Sequence, residues 1–122
     1  MKILVVSANY PSETNKHAFG FVHARVKLYK KYGHRVCVLV PSYDNFGKAI
    51  NTYEYEGIKI FRVNVNYIRE IIKEMDPDVV TYHFPEPKVL AEIFSIKKPL
   101  VLWVHGADIL ITFFTIIIYH ST

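Results

Sequence analysis

The chain has 122 residues, one cysteine and a formal net charge of +4, and 51% of it is hydrophobic. That length suits one domain burying about two thirds of its unfolded surface, and that composition excludes a disordered chain. The lysines are scattered, with pairs only at Lys30-Lys31 and Lys97-Lys98, which excludes the basic, aromatic-interleaved stripe of a nucleic-acid binder but leaves open attraction to an anionic substrate or lipid headgroup.

Met1-Lys2 opens at once on Ile3, Leu4, Val5 and Val6 with no cleavage site, so no signal peptide is expected. Lys2 to Ser7 reads as a continuous apolar strand. The polar loop after it, Ala8 to about Ala18, is longer than a strand-to-helix turn requires. Phe19 to Tyr32 reads as a helix, with Phe21, Ala24, Leu28 and Tyr32 on one stripe, flanked by Val22, Val26 and Tyr29. Gly33 is its C-terminal stop. Arg35 to Val40 is the second strand, carrying Cys37 as a core thiol. A lone cysteine forms no internal disulfide, which suits a reducing cytoplasm. Pro41 to Asn45 has turn chemistry.

Thr52 to Glu56 and Ile58 to Val63 read as two short strands hinged at Gly57. Tyr67, Ile68, Ile71, Ile72 and Met75 mark a second helix, ending before Asp76-Pro77. Asp78 to Tyr82 is a strand. Pro87 to Ser95 is a third helix with proline at its start and Val89, Leu90, Ile93 and Phe94 inward. Leu100 to Val104 is the last clear strand. Strands apolar throughout, alternating with helices, predict a parallel sheet covered on both faces. The expected fold is α/β, a doubly wound Rossmann-like sheet of strand order 3-2-1-4-5. In that order the sheet reverses between the strand at Lys2 and the strand at Asp78, and ligands of such sheets bind at the carboxyl edge there.

Two histidines stand where apolar strands stop. His83 comes directly after Asp78 to Tyr82, and His105, with Gly106 and Asp108 beyond it, comes directly after Pro99 to Val104. On successive parallel strands both imidazoles would face one crevice. A neutral imidazole accepts a proton or holds a sugar hydroxyl, so His105 is the candidate catalytic residue. Asp108 either orients the His105 loop or caps the next helix. Gly20, at the mouth of the first helix, lets a ligand approach the helix amides, against the alternative of an ordinary flexible loop. His17, His23 and His34 read as structural or solvent-facing, and His23 could turn either way. No histidine and cysteine pair has metal spacing, so no metal is expected. One glycine stands where a dinucleotide fingerprint has three, so NAD is not expected, and no other cofactor is called for.

These pieces resemble the N-terminal half of a retaining glycosyltransferase of the GT-B fold, family 4. The resemblance rests on the opening Lys2 to Ser7, on Lys31 to Val38 around Gly33-His34, and on Tyr55 to Val63. It continues through Asp76 to Phe84 and Lys98 to Asp108, so that the ordered set covers residues 1 to about 108. The resemblance implies an acceptor-binding domain that works with a nucleotide-sugar donor and a glycosyl acceptor. It implies Gly20 in the loop near donor phosphates and acceptor, His105 beside the transferred sugar, and His83 lining the cleft. Asn9, Gly20, His83 and Asp108 are the candidate substrate contacts. The family's usual glycine pair in the first loop is reduced here to Gly20. The second, nucleotide-gripping domain, marked by two glutamates with seven residues between them, has no counterpart, since no two glutamates of this chain have that spacing. The chain is therefore expected to be inactive alone, as a fragment, a truncated gene product or one subunit of a split enzyme. The alternatives are a non-catalytic remnant or binding module of the same fold, or half of a nucleotide-sugar 2-epimerase.

The tail, 109–122, is uncharged and mostly apolar through Tyr119. It is too short to span a bilayer, which takes about 20 apolar residues, so no transmembrane span is expected, only possible peripheral contact. Three readings stand: a core helix or added strand, a homodimer interface through 109–119, or foreign sequence from a frame change.

Overall fold

The computed structural model describes residues 1–43, 50–103 and 115–118, the backbone alone at 50 and 115–118. His105, Gly106 and Asp108 therefore lie outside the described residues, as does the tail apart from 115–118.

Strand β1 (Lys2–Ser7) leads through the first loop to helix α1 (Gly20–Lys31) and strand β2 (Arg35–Ser42). Strands β3 (Ile50–Tyr55) and β4 (Ile58–Asn64) form a hairpin. A single 3₁₀ turn (Val65–Tyr67) enters α2 (Ile68–Met75), and after it come β5 (Val79–His83), α3 (Pro87–Phe94), β6 (Leu100–Trp103) and β7 (Thr115–Ile118). The sheet order among these is β3-β4-β2-β1-β5-β6-β7. The five parallel strands β4, β2, β1, β5 and β6 reproduce the expected 3-2-1-4-5 order. The antiparallel strands β3 and β7 extend it at the two ends, so part of the tail is an added strand.

The β1 side chains alternate between two cores. Ile3 and Val5 join Val22 and Val26 of α1, with Val38, Val40, Ile58 and Ile60. Leu4 and Val6 join Ile68, Ile71 and Ile72 of α2 and Val89 and Ile93 of α3. Helices thus cover both faces. At about 25 cal/mol per Å² of apolar area, these two layers carry the fold.

Three local expectations are corrected. The stripe Phe21, Ala24, Leu28 and Tyr32 of α1 faces solvent, and Val22, His23 and Val26 are the buried residues. The compact β-branched pair one turn apart fits the close approach of helix to sheet, whereas the larger residues of the stripe do not. Phe94 of α3 is likewise exposed, since Val89 and Ile93 already span the contact. Pro41 and Ser42 continue β2 rather than turning, pairing with Val63 and Asn64. The β1 ladder has already ended at Leu39, so β2 keeps only one neighbour at the proline.

The hairpin turns on Glu56 (φ 48°) and Gly57 (φ 79°), the two positive values of a type I′ turn whose twist matches its strands. Lys30 Nζ donates to Gly57 O at 2.8 Å, tying the turn to α1. No helix among the described residues is long and apolar enough to cross a membrane.

Candidate functional site at the carboxyl edge of the sheet

The parallel strands end in Ser7, Ser42, Asn64, His83 and Trp103. Ser7 and His83 are partners in register across the β1–β5 ladder, where the strand order reverses. Ser7 is fully buried, and its Oγ donates to Asn9 O at 2.7 Å, which starts the first loop. Tyr10 N–H donates to Asn9 Oδ1 at 2.8 Å.

The structure brings His83 to this rim, as expected, and buries it. Its ring is 2% exposed and stacks on Trp103, with centroids 5.5 Å apart and planes within 4°. Arg25 of α1 lies over the same indole at 4.1 Å, completing a guanidinium–indole–imidazole stack. The indole Nε1, buried, has no hydrogen-bond acceptor among the described residues. Beside the stack, Phe19 and Phe84 meet at 4.9 Å, with φ of 52° and 59°. Left-handed backbone at two bulky residues stores strain, and such strain concentrates at functional positions. Gly20 opens α1 with open space where a Cβ would stand, and Phe19 supplies no side-chain cap to the helix amides.

His17 is exposed and His34 half-buried, as expected. His23 turns inward. Its Nδ1 meets the Tyr10 hydroxyl, and its Nε2 lies 3.1 Å from Glu56 Oε2. An ionised carboxylate only accepts, so Nε2 carries the ring proton and Nδ1 accepts from Tyr10. Burial, the largest cause, pushes the Tyr10 hydroxyl well above the ordinary tyrosine range. The hydrogen bond from His23, with Lys27 3.7 Å from Oε1, holds Glu56 below its ordinary value.

A second feature of the carboxyl edge escaped sequence reading. A cavity of about 380 Å³ opens between the first loop and the β3–β4 hairpin, lined by Asn9, Ser12, Thr14, Asn15, Asn51 and Arg62, with Tyr10 and Tyr53 as further walls. Tyr53 Oη donates to Pro11 O at 3.1 Å, which holds the loop against the hairpin. A sequence signal existed: in Ile58-Lys59-Ile60-Phe61-Arg62, the alternation puts an arginine in the parity of two core isoleucines. Cys37, partly buried, has its thiol pushed up chiefly by burial, which fits an inert core role. Among the described residues no group of histidine, cysteine and carboxylate side chains could hold a metal ion.

No protein-family model and no curated protein matches this chain. Among solved structures it is similar to the crystal structure of UDP-D-quinovosamine 4-dehydrogenase from Vibrio fischeri, at 10% identity and a TM-score of 0.48, covering 89% of this chain and 83% of that one.

Proposed function

We propose that this chain is the acceptor-side half of a nucleotide-sugar-dependent glycosyltransferase. The observation that carries the reading is the Ser7–His83 pair, in register at the carboxyl edge where the strand order reverses. Open α/β sheets place ligands at that point. The strained Phe19 and Phe84 flank it, and the uncapped amides of α1 open beside it. The ordered resemblance to family 4 enzymes supplies the chemistry. His105 would act beside the transferred sugar, with Asp108 and Gly106 shaping its loop, and Gly20, Asn9 and His83 would line the acceptor side. The donor nucleotide would be held by a second domain or chain.

One observation favours a second reading, a non-catalytic binding module of the same fold. His83 is sealed under Trp103, so its ring would position neighbours rather than touch a sugar.

The test is amide-shift mapping by NMR with a panel of methyl glycosides and with UDP-glucose. Saturable shifts at Ser7, Gly20 and His83 from a glycoside, with weak UDP-glucose binding, are expected. Tight UDP-glucose binding by this chain alone would reverse the assignment of roles. With a nucleotide-binding partner chain added, His105→Ala should lower turnover by about 10²- to 10⁴-fold with little change in acceptor affinity. Unchanged turnover would remove His105 from the mechanism, and no turnover at all with the partner chain present would leave the binding-module reading.

A further inference from the structure

We infer that the cavity between the first loop and the β3–β4 hairpin is a binding site for a phosphorylated, hydroxyl-rich small molecule of the sugar-phosphate class, with Arg62 as its anion contact. This stands on the cavity itself and goes beyond the sugar-transfer reading, which concerns the β1–β5 point.

The parity of β4 sets Arg62 apart. Ile58 and Ile60 point into the core beneath α1, and Arg62 is the next residue of that register. Its partner across the ladder is Asn51, just as Ile60 faces Tyr53 and Ile58 faces Tyr55. A helix-covered core would not tolerate a guanidinium there. Arg62 escapes because α1 begins at Gly20 and the first loop roofs the space instead, leaving the cavity.

The walls then select the ligand. The named lining residues present amides, hydroxyls and one cation, with no carboxylate among them. Glu13, the acid of the first loop, is not in the lining and pairs with Lys16 at 3.8 Å. Arg62 has no ion-pair partner among the described residues. Its five donors suit the bidentate recognition of a phosphate. The side-chain amides of Asn9, Asn15 and Asn51 in the lining add donors and acceptors of the kind that hold hydroxyls.

The site is also pre-shaped, which cuts the ordering cost of binding. Ser12 and Asn15 exchange backbone hydrogen bonds at 3.1 Å in both directions. Ser12 Oγ accepts from Asn15 N–H at 3.2 Å. Tyr53 clamps the loop through Pro11. The volume, about 380 Å³, lies at the small end of the range for ligand pockets, roughly 300–1,000 Å³, and accommodates one sugar ring with its phosphate.

The test titrates the full chain with glucose 6-phosphate, glucose and inorganic phosphate, monitored by amide shifts. Expected are saturable shifts at Ser12, Asn15 and Asn51 with glucose 6-phosphate, with glucose and inorganic phosphate each weaker. Arg62→Ala, at an exposed side chain, should keep the fold and weaken glucose 6-phosphate at least about tenfold, while Arg62→Lys retains part of the affinity. Absence of saturable shifts with all three probes would overturn the inference, as would binding that Arg62→Ala leaves unchanged. Inorganic phosphate binding as tightly as glucose 6-phosphate would overturn the hydroxyl-recognition half. Shifts confined to Ser7, Gly20 and His83 would support the sugar-transfer site and refute this one, so the two readings fail separately.

Discussion

The Tyr10 hydroxyl donates to Nδ1 of His23 across the gap between the first loop and α1, with both residues buried. Their rings meet edge to face at 5.2 Å, and Glu56 takes the opposite ring nitrogen. One network thus joins the loop, the helix and the hairpin turn. Tyr10→Phe and His23→Leu each leave one buried polar atom without its partner, at a cost of about 1–3 kcal/mol. The double variant removes both and should cost less than the sum of the singles, by at least about 0.5 kcal/mol. Urea unfolding of all four proteins measures this. Strict additivity would dissolve the network into unrelated contacts.

The same network contributes to the acid limb of stability. The His23 hydrogen bond is the largest cause lowering Glu56 from its ordinary value of 4.5. The folded-state pKa lies below the unfolded one, so the stabilisation is complete above about 4.5 and is lost as pH falls through the depressed value. Asp76, lowered chiefly by its hydrogen bond with Lys98, behaves alike. Tyr10 and Tyr82 are raised from 10.0, chiefly by burial. Their stabilising effect is present below that value and fades as pH rises through the raised ones. Denaturation midpoints against pH should show both limbs, with Glu56→Gln flattening the acid one. An identical acid limb in the variant would refute the assignment to Glu56.

The fold was legible because its signals are local. Apolar runs such as Ile3 to Val6 and punctuation such as Gly33 and Pro87 mark elements without knowledge of partners, and their alternation dictates the parallel order. The face of α1 was not legible, because Phe21, Leu28 and Tyr32 are as apolar as Val22 and Val26, and only the spacing of helix over sheet decides between them. The Tyr10–His23–Glu56 network and the Arg62 cavity join residues that lie tens of positions apart, so neither is visible until the first loop folds back on the hairpin. His83 was placed correctly at its strand end, but its burial depends on Trp103 from a neighbouring strand.

That ambiguity of α1 gives a direct test of its orientation. Leu28→Ser and Tyr32→Ser alter exposed positions, at 51% and 74% exposure, and should shift stability by no more than about 0.5 kcal/mol. Val22→Ala and Val26→Ala, both fully buried, should each cost about 2 kcal/mol through lost methyl burial and the cavity left behind. Guanidinium unfolding of the four variants reads the contrast. A Leu28→Ser loss as large as that of Val26→Ala would mean that the outer stripe is covered in solution.

Strand β7 carries Thr115, Ile116, Ile117 and Ile118 at one end of the sheet order. An uncharged strand at the end of a sheet can pair with another chain, so a homodimer through 109–119, one of the three readings of the tail, is testable. Ile117→Lys, pairing opposite Val101, should weaken self-association about tenfold or more in sedimentation velocity. A wild-type chain that stays monomeric at high concentration would remove the homodimer.

Tyr53 controls the roof of the Arg62 cavity through a single hydroxyl. Its Oη donates to Pro11 O at 3.1 Å, while the ring packs against the α1-side core. Tyr53→Phe keeps that packing and removes only the clamp, so global stability should fall by about 1 kcal/mol. The local effect should be larger at Ser12 and Asn15, which are held to each other by short-range bonds. Amide hydrogen exchange should therefore quicken at Ser12 and Asn15 more than at Val5 or Val38 in the core. If Tyr53 shapes the cavity, the variant should also bind glucose 6-phosphate more weakly, with Arg62 still in place. Uniform quickening across the core and the loop would instead mean that the clamp belongs to the global fold, and that the first loop opens only when the sheet does.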